Sequence, residues 1–204
     1  GSPFFAYFLW RSKESECAVG RKPDIPSGLA FSPDGRLLYV VLNLSNRLAE
    51  IEVSSGRVLR TWDVGVAPFD VVLATDKAYV SNWGGRRADA NSVTGPAGRG
   101  TLVRVDPVRH IASEGSVSVI DLKSNRVLTE IQVGLHSSAL ALAPDRRHVL
   151  VANAGSDTVS VIDVRTDRVI ETIWVKPSPA DLFGASPNAL VFDRTGRTLF
   201  VCNG

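Results

Sequence analysis

The sequence is poor in the residues that anchor most small-site chemistry. It has 2 cysteines and 3 histidines among 204 residues. Two cysteines make neither a disulfide framework nor a four-cysteine zinc site. No His-x-x-x-His and no His/carboxylate spacing occurs, so local motifs supply no zinc or copper site. Charge of one sign is lacking too. The 23 Lys and Arg against 21 Asp and Glu leave +2, too little to argue for a nucleic-acid protein. The longest apolar run, Phe4 to Trp10, has seven residues, far short of the roughly 20 a membrane helix needs. No basic stretch precedes it, so it is a poor signal peptide as it stands. No capped amphipathic helix is visible. With 44% hydrophobic and 22% charged residues, the composition is that of a globular chain, not a disordered one.

What is present is a repeat. The blocks P-S-G-L-A-F-S-P-D-G-R-L-L-Y-V (Pro26 to Val40), P-F-D-V-V-L-A-T-D-K-A-Y-V (Pro68 to Val80), S-S-A-L-A-L-A-P-D-R-R-H-V-L-V (Ser137 to Val151) and P-N-A-L-V-F-D-R-T-G-R-T-L-F-V (Pro187 to Val201) share one pattern. A second half follows the first three, beginning at Arg47, Ser116 and Thr158. Pro26 to Pro68 is 42 residues, and Val127 to Val169 is also 42. Gly65 to Gly134 is 69, one period plus an insertion of 27.

Each period reads as four short strands, such as Gly28 to Phe31, Leu37 to Val41, Val159 to Asp163 and Arg168 to Val175. Val, Ile, Tyr and Thr dominate them. Val149 to Ala152 is apolar on both faces, which requires cover on both sides. A sheet covered on both faces and repeated every 42 residues fits the stacked four-stranded blades of a β-propeller. The turns S-P-D-G, A-P-D-R and D-R-T-G recur at one point of the period. Their Asp residues, with Asp121, Asp163 and Glu52 at the next hairpin, read as turn-holding carboxylates rather than catalytic ones.

The second strands carry Y-V-S-N (Tyr79 to Asn82), L-V-A-N (Leu150 to Asn153) and F-V-C-N (Phe200 to Asn203). Together with S-P-D-G-R and V-S-V-I-D, these resemble the YVTN (YncE-like) β-propeller repeat family over Pro26 to Gly204. S-N-W-G-G-R-R, G-P-A-G-R-G-T, V-R-V-D-P-V-R-H-I-A-S-E-G and V-G-L-H-S-S-A-L-A-L-A-P-D are similar to the propeller half of bacterial proteins that join such a propeller to an alkaline-phosphatase-like phosphoesterase domain. The resemblance implies seven blades, about 294 residues at this period, and a C-terminal phosphoesterase that holds the metal ligands and nucleophile. It also implies export to the periplasm or outside the cell. The expected fold is therefore all-β: about three and a half four-stranded blades, an open arc of a seven-bladed ring. The expected layout is a poorly matched lead-in over 1–25, then blades over 26–67, 68–135 with an insertion at 83–115, and 136–186, then half a blade over 187–204. An open arc exposes a strand edge and a blade face. The partners implied are the remaining blades and a phosphoesterase-like domain, or a second chain.

The insertion is the one long irregular segment, and such loops are functional or disordered. It holds Arg86, Arg87, Arg99, Arg104 and Arg109, with Asp89, Asp106, Glu114 and His110. The arginines, with glycine N–H groups, are candidates to hold an anionic ligand such as a phosphate or carboxylate; the competing reading is a solvated loop with local ion pairs. G-P-A-G-R-G-T lacks the G-K-[ST] ending of a nucleotide loop. Trp83 opens the insertion and is the aromatic candidate for ligand contact. His136 sits in a turn opening a period, where it can face the central channel. Trp62 and Trp174 fall on outer strands and cover blade edges, His148 reads as exposed, and Cys202 reads as a small buried apolar residue. A Cys17–Cys202 bridge is not expected.

The leading functional expectation is a non-catalytic binding and scaffold module with no cofactor and no metal. A propeller enzyme of lactonase or oxidoreductase type would need Asp70, His136 and Asn188 around a channel completed by further blades. A DNA-binding propeller is the third alternative, permitted by the insertion arginines but without the aromatic and basic interleaving of single-strand binders.

Overall fold

The computed structural model describes residues 24–97, 101–176, 178, 180, 182 and 184–204. Among these residues there are sixteen strands and no helix. The first sheet runs in sequence order, β1 (Pro26–Phe31), β2 (Leu37–Leu42), β3 (Arg47–Glu52) and β4 (Val58–Asp63). The second is built from β5 (Pro68–Ala74), β6 (Lys77–Asn82), β9 (Gly115–Asp121) and β10 (Arg126–Val133). Between β6 and β9 the chain leaves the sheet and forms a separate ribbon of β7 (Thr94–Pro96) and β8 (Leu102–Arg104). The third sheet is β11 (Ser137–Leu142), β12 (His148–Asn153), β13 (Thr158–Asp163) and β14 (Arg168–Trp174). A two-stranded sheet of β15 (Pro187–Phe192) and β16 (Leu199–Asn203) follows. All pairings are antiparallel, and β1, β5, β11 and β15 pack on one another in succession as the inner strands.

Strand alternation explains why each sheet is apolar on both faces. Ala78 and Val80 of β6 point to the first sheet, where they meet Tyr39, Val41, Leu48 and Trp62. Tyr79, between them, points to the third sheet; its cluster joins Val117 and Val119 of its own sheet to Val149, Val151 and Ile162 across the seam. Leu150 of β12 faces the other way and packs with Val159 and Val161 against Leu190, Phe192 and Val201. Each such Val, Leu or Ile contributes about 1.5–3 kcal/mol on full burial. The seams therefore dominate stability.

Polar ties reinforce the seam between the second and third blades. The Tyr79 hydroxyl and the Lys77 ammonium each donate to the Asp167 carboxylate at 2.6 Å. The Ser81 hydroxyl donates to the Ser138 carbonyl, and the Ser137 hydroxyl to the Asn82 carbonyl. The motif asparagines Asn82 and Asn153 are fully buried. Asn153 lies directly under Gly134, where a Cβ would come within 2.6 Å of the Asn153 Cβ; only a glycine lets the connection cross there.

The turn carboxylates do what their recurrence implies. Asp34 accepts the N–H of Arg36, Asp145 that of Arg147, and Asp193 those of Arg197 and Thr198. The N–H bonds of Ser124 and Thr166 hold Asp121 and Asp163 below the usual carboxylate range.

Three side chains sit differently from their sequence reading. Cys202 is exposed, not buried, because it shares with Val191 and Phe200 the face of the β15–β16 hairpin turned away from the third blade. Trp62 is buried within the first seam, stacked on Tyr39 at 6.5 Å, rather than covering an edge. His148 is half-buried, its Nδ1 2.8 Å from Asp145. Cys17 lies outside the described residues.

Asp70, on β5, joins two blades: its carboxylate accepts the N–H of Leu140 at 2.9 Å and that of Val71 at 2.8 Å. Burial pushes its carboxyl pKa up, against the pull of those two bonds. Asp70→Ala strands the Leu140 N–H in the seam and is expected to cost about 1–3 kcal/mol in urea unfolding. Asp70→Asn keeps one acceptor oxygen and should cost less; equal losses would mean that the inter-blade bond is not what Asp70 contributes.

Candidate functional site

Antiparallel order places the β2–β3, β6–β9 and β12–β13 connections at one end of the sheets. The β4–β5, β10–β11 and β14–β15 crossings lie at the same end. The candidate ligand residues that are described lie on these connections or in the insertion that leaves from one of them. The crossing residue before each inner strand is left-handed and not glycine: Ala67 at φ 50, His136 at φ 53 and Ser186 at φ 45. A non-glycine residue in this region is uncommon and strained. It is held by neighbours. Asn46 accepts the N–H of Ala67, and Asp157 accepts those of Gly184 and Ser186.

The insertion arginines are engaged locally. Arg86 makes a two-pronged pair with Glu114, both contacts 2.8 Å. That bond holds the Glu114 carboxyl below its ordinary range. Arg87 reaches back to the first blade, donating to the carbonyls of Val64 and Asn46 and to Asp63. Arg104 donates to the Arg87 carbonyl and to Asp89. Bonds from the Ser92 hydroxyl and then from Arg104 hold Asp89 down at about 2. These guanidiniums pin the insertion to the blades. Arg109 and His110 are exposed at a turn closed by the His110 N–H to the Asp106 carbonyl. Arg99 lies outside the described residues.

Trp83 and His136 come together. Their rings stack at 4.0 Å with an 8° interplanar angle, although 53 positions separate them in sequence. Trp83 follows the end of β6, and its N–H donates to the Ala67 carbonyl beside β5. His136 immediately precedes β11. The pair therefore links the end of β6 in the second blade to the start of β11 in the third. A Cβ on Gly155 would lie 2.8 Å from His136 Nδ1, so the imidazole is held on its other side as well. Burial lowers the His136 pKa, favouring the neutral ring. Trp83 keeps 42% of its surface in solvent.

The three residues considered for channel chemistry have separate surroundings. Asp70 is committed to backbone N–H groups, His136 to the stack, and Asn188 is exposed on β15. No group of three or more His, Cys, Asp or Glu able to hold a metal occurs among the described residues. No helix among them is long and apolar enough to cross a membrane.

Sequence reasoning passed over a polar cluster beneath the insertion. Asn82 Nδ2 donates to the Ser118 hydroxyl at 2.9 Å and the Ser116 hydroxyl at 3.1 Å. Ser116 donates on to Glu130 at 2.6 Å. Burial raises the Glu130 pKa, partly offset by the Ser116 bond and then by Arg86. The signal was the fourth strand R-V-L-T-E-I-Q-V beside R-V-I-E-T-I-W-V, where Glu130 stands opposite Thr172.

No family model matches the chain. It is 25% identical over 154 residues to the seven-bladed β-propeller protein Rv1057 of Mycobacterium tuberculosis (strain ATCC 25618 / H37Rv), covering 74% of this chain and 33% of that protein. The chain thus spans about a third of that curated relative's length. Among solved structures, Kuenenia stuttgartiensis hydrazine synthase superposes with a TM-score of 0.65 at 20% identity, over 91% of this chain and 44% of that one. A chain of the mitotic checkpoint complex gives 0.64 at 14% identity, over 90% and 46%. The fold is that of a β-propeller. This chain forms a partial one, three four-stranded blades and a two-stranded part of a fourth.

The lowered His136 pKa sets a sign. Above the unfolded value, about 6.5, the ring is neutral in both states and its packing contributes in full. As pH falls through that value toward the lower folded one, the unfolded chain takes up the proton more readily and stability is lost. The urea midpoint should therefore fall from pH 7.5 to 5.5 by more in the parent than in His136→Phe, which keeps a ring on Trp83. Parallel curves would show that the imidazole is not held neutral.

Proposed function

We propose that this chain is a non-catalytic binding and scaffold module, part of a longer exported protein with seven blades and a C-terminal phosphoesterase domain. The observation that carries the binding reading is the Trp83–His136 stack, an aromatic surface at the channel mouth held by two blades beside an insertion whose Arg86 and Arg104 are paired with Glu114 and Asp89. An exposed aromatic face on a rigid base loses little entropy on contact and suits a docking surface. The seven-blade reading is supported by the 42-residue period and by the seven-bladed relative. The phosphoesterase partner and export rest on the resemblance in the insertion.

The anionic-ligand role for Arg86, Arg87 and Arg104 loses support, since each is already paired with a carboxylate or carbonyl. The same pairing weakens a DNA-binding role, because paired arginines release few counterions.

Two measurements test the reading. Residues 1–204 should show no hydrolysis of p-nitrophenyl phosphate, whereas the complete gene product should; turnover by this chain alone overturns the scaffold role. In the complete gene product, hydrogen exchange at 83–87 and 135–137 should be slower than in residues 1–204, and Trp83→Ala should abolish that difference. Equal exchange in both proteins overturns docking at the channel mouth.

A further inference from the structure

A cleft of about 700 Å³ opens between the second and third blades, outward of the channel mouth. Its floor carries Thr158 and Ser160, its walls Gln132, Thr172 and Trp174, and its rim Arg109 from the insertion. Neither Trp83 nor His136 lines it.

The repeat itself indicates what this cleft accepts. Ser118 pairs in register with Glu130 across β9 and β10, and Ser160 pairs with Thr172 across β13 and β14. Asn82 pairs with Ser116, and Asn153 with Thr158. The two blades therefore hold the same polar arrangement at the same place. In both, the asparagine Nδ2 donates to the two hydroxyls: 3.1 and 2.9 Å to Ser116 and Ser118, 3.0 and 2.9 Å to Thr158 and Ser160. In the second blade the arrangement is completed by the Glu130 carboxylate, which accepts the Ser116 hydroxyl proton at 2.6 Å. In the third blade Thr172 is too short to do this. With the Asn153 amide turned as it is, the Thr158 and Ser160 hydroxyls, 4% and 2% exposed, donate to no described residue, and the buried Asn153 Oδ1 of the same cluster has no partner either. A buried hydroxyl seeks an acceptor. At the register position that Glu130 holds in the second blade the third has Thr172, which lines the cleft with Thr158 and Ser160.

The surroundings favour a negatively charged acceptor. Arg109 has no carboxylate within ion-pair distance among the described residues, unlike Arg86, Arg87 and Arg104. Trp174 and Ile111 add apolar surface beside it, 61% and 49% exposed. We infer that the cleft between the second and third blades binds a small organic acid whose carboxylate takes the place Glu130 fills one blade earlier. The hydroxyls of Thr158 and Ser160 donate to the carboxylate, Arg109 neutralises it, and the apolar body of the acid lies along Trp174 and Ile111.

The test titrates phenylacetate, and phenylacetamide as its uncharged counterpart, into the full chain followed by two-dimensional amide NMR. Phenylacetate should bind with a Kd of about 1 mM, a weak affinity of the kind a ligand of this size supports. The shifts should centre on residues 158–160 and 172–174, and the amide should bind at least tenfold more weakly. Arg109→Gln should weaken phenylacetate about tenfold. Thr172→Glu supplies the carboxylate from the chain itself, so it should abolish binding while the melting temperature holds or rises. Should that variant not fold, Thr158→Val serves instead, with binding lost and the fold kept. Arg36→Gln, on an exposed turn of the first blade, should leave phenylacetate binding unchanged. Equal affinity for acid and amide overturns the inference. So does undiminished binding in folded Thr172→Glu or Thr158→Val, or the absence of saturable shifts in the cleft.

Discussion

Each blade sheet among the described residues is apolar on both faces, so none of them can stand alone in water. That single constraint organises the rest. A sheet with two apolar faces needs a flanking sheet on each side, and a right-handed strand twist turns successive sheets about an axis. The 42-residue period follows, since one period is what four short strands and their turns require. The channel mouth follows as well. Once the inner strands are packed side by side, their preceding residues are brought close together, and Trp83 and His136 can meet across a seam. Variation is then confined to the connections at the ends of the sheets and to the outer strands. Two departures of this chain from its own repeat lie there: the insertion after Asn82 and the exchange of Glu130 for Thr172.

The repeat made the fold readable. Strand positions and the turn roles of Asp34, Asp145 and Asp193 depend on neighbours within one hairpin, and the apolar character of both faces of β12 is written in the strand itself. Such short-range relations leave a local pattern. The site was less readable because its contacts are long in sequence. Nothing near Arg86 signals that Glu114 will take its guanidinium, and nothing near Arg87 points to Val64. The unpaired arginine count of a loop thus overstates its appetite for anions. Cys202 was misread for a related reason. Its strand neighbours are apolar, but burial depends on the sheet that lies over the face, and that is not a property of the strand. The Glu130–Thr172 difference was available all along, since it needs only the two fourth strands written one above the other.

The polar seam residues add specificity to a stack that would otherwise tolerate slippage. Apolar faces pack in many registers. Asp70 holding the Leu140 N–H, Tyr79 and Lys77 on Asp167, and Asp157 on the Gly184 and Ser186 N–H groups are each satisfied in one alignment only. Their energetic contribution is modest, of order 1 kcal/mol per bond, against seams of many buried aliphatic side chains. Their value lies in excluding the alternatives.

The β15–β16 hairpin is covered on one face, by Leu150, Val159 and Val161, while Val191 and Phe200 remain 57% and 55% exposed on the other. In a linear stack each unit is held by its neighbours, so a unit with one neighbour opens more often than a unit with two. Within residues 1–204 the hairpin therefore opens before the seam between the second and third blades, which Tyr79, Lys77 and Ser137 tie with side-chain bonds, and the cleft beside Thr158 shares the lifetime of that seam.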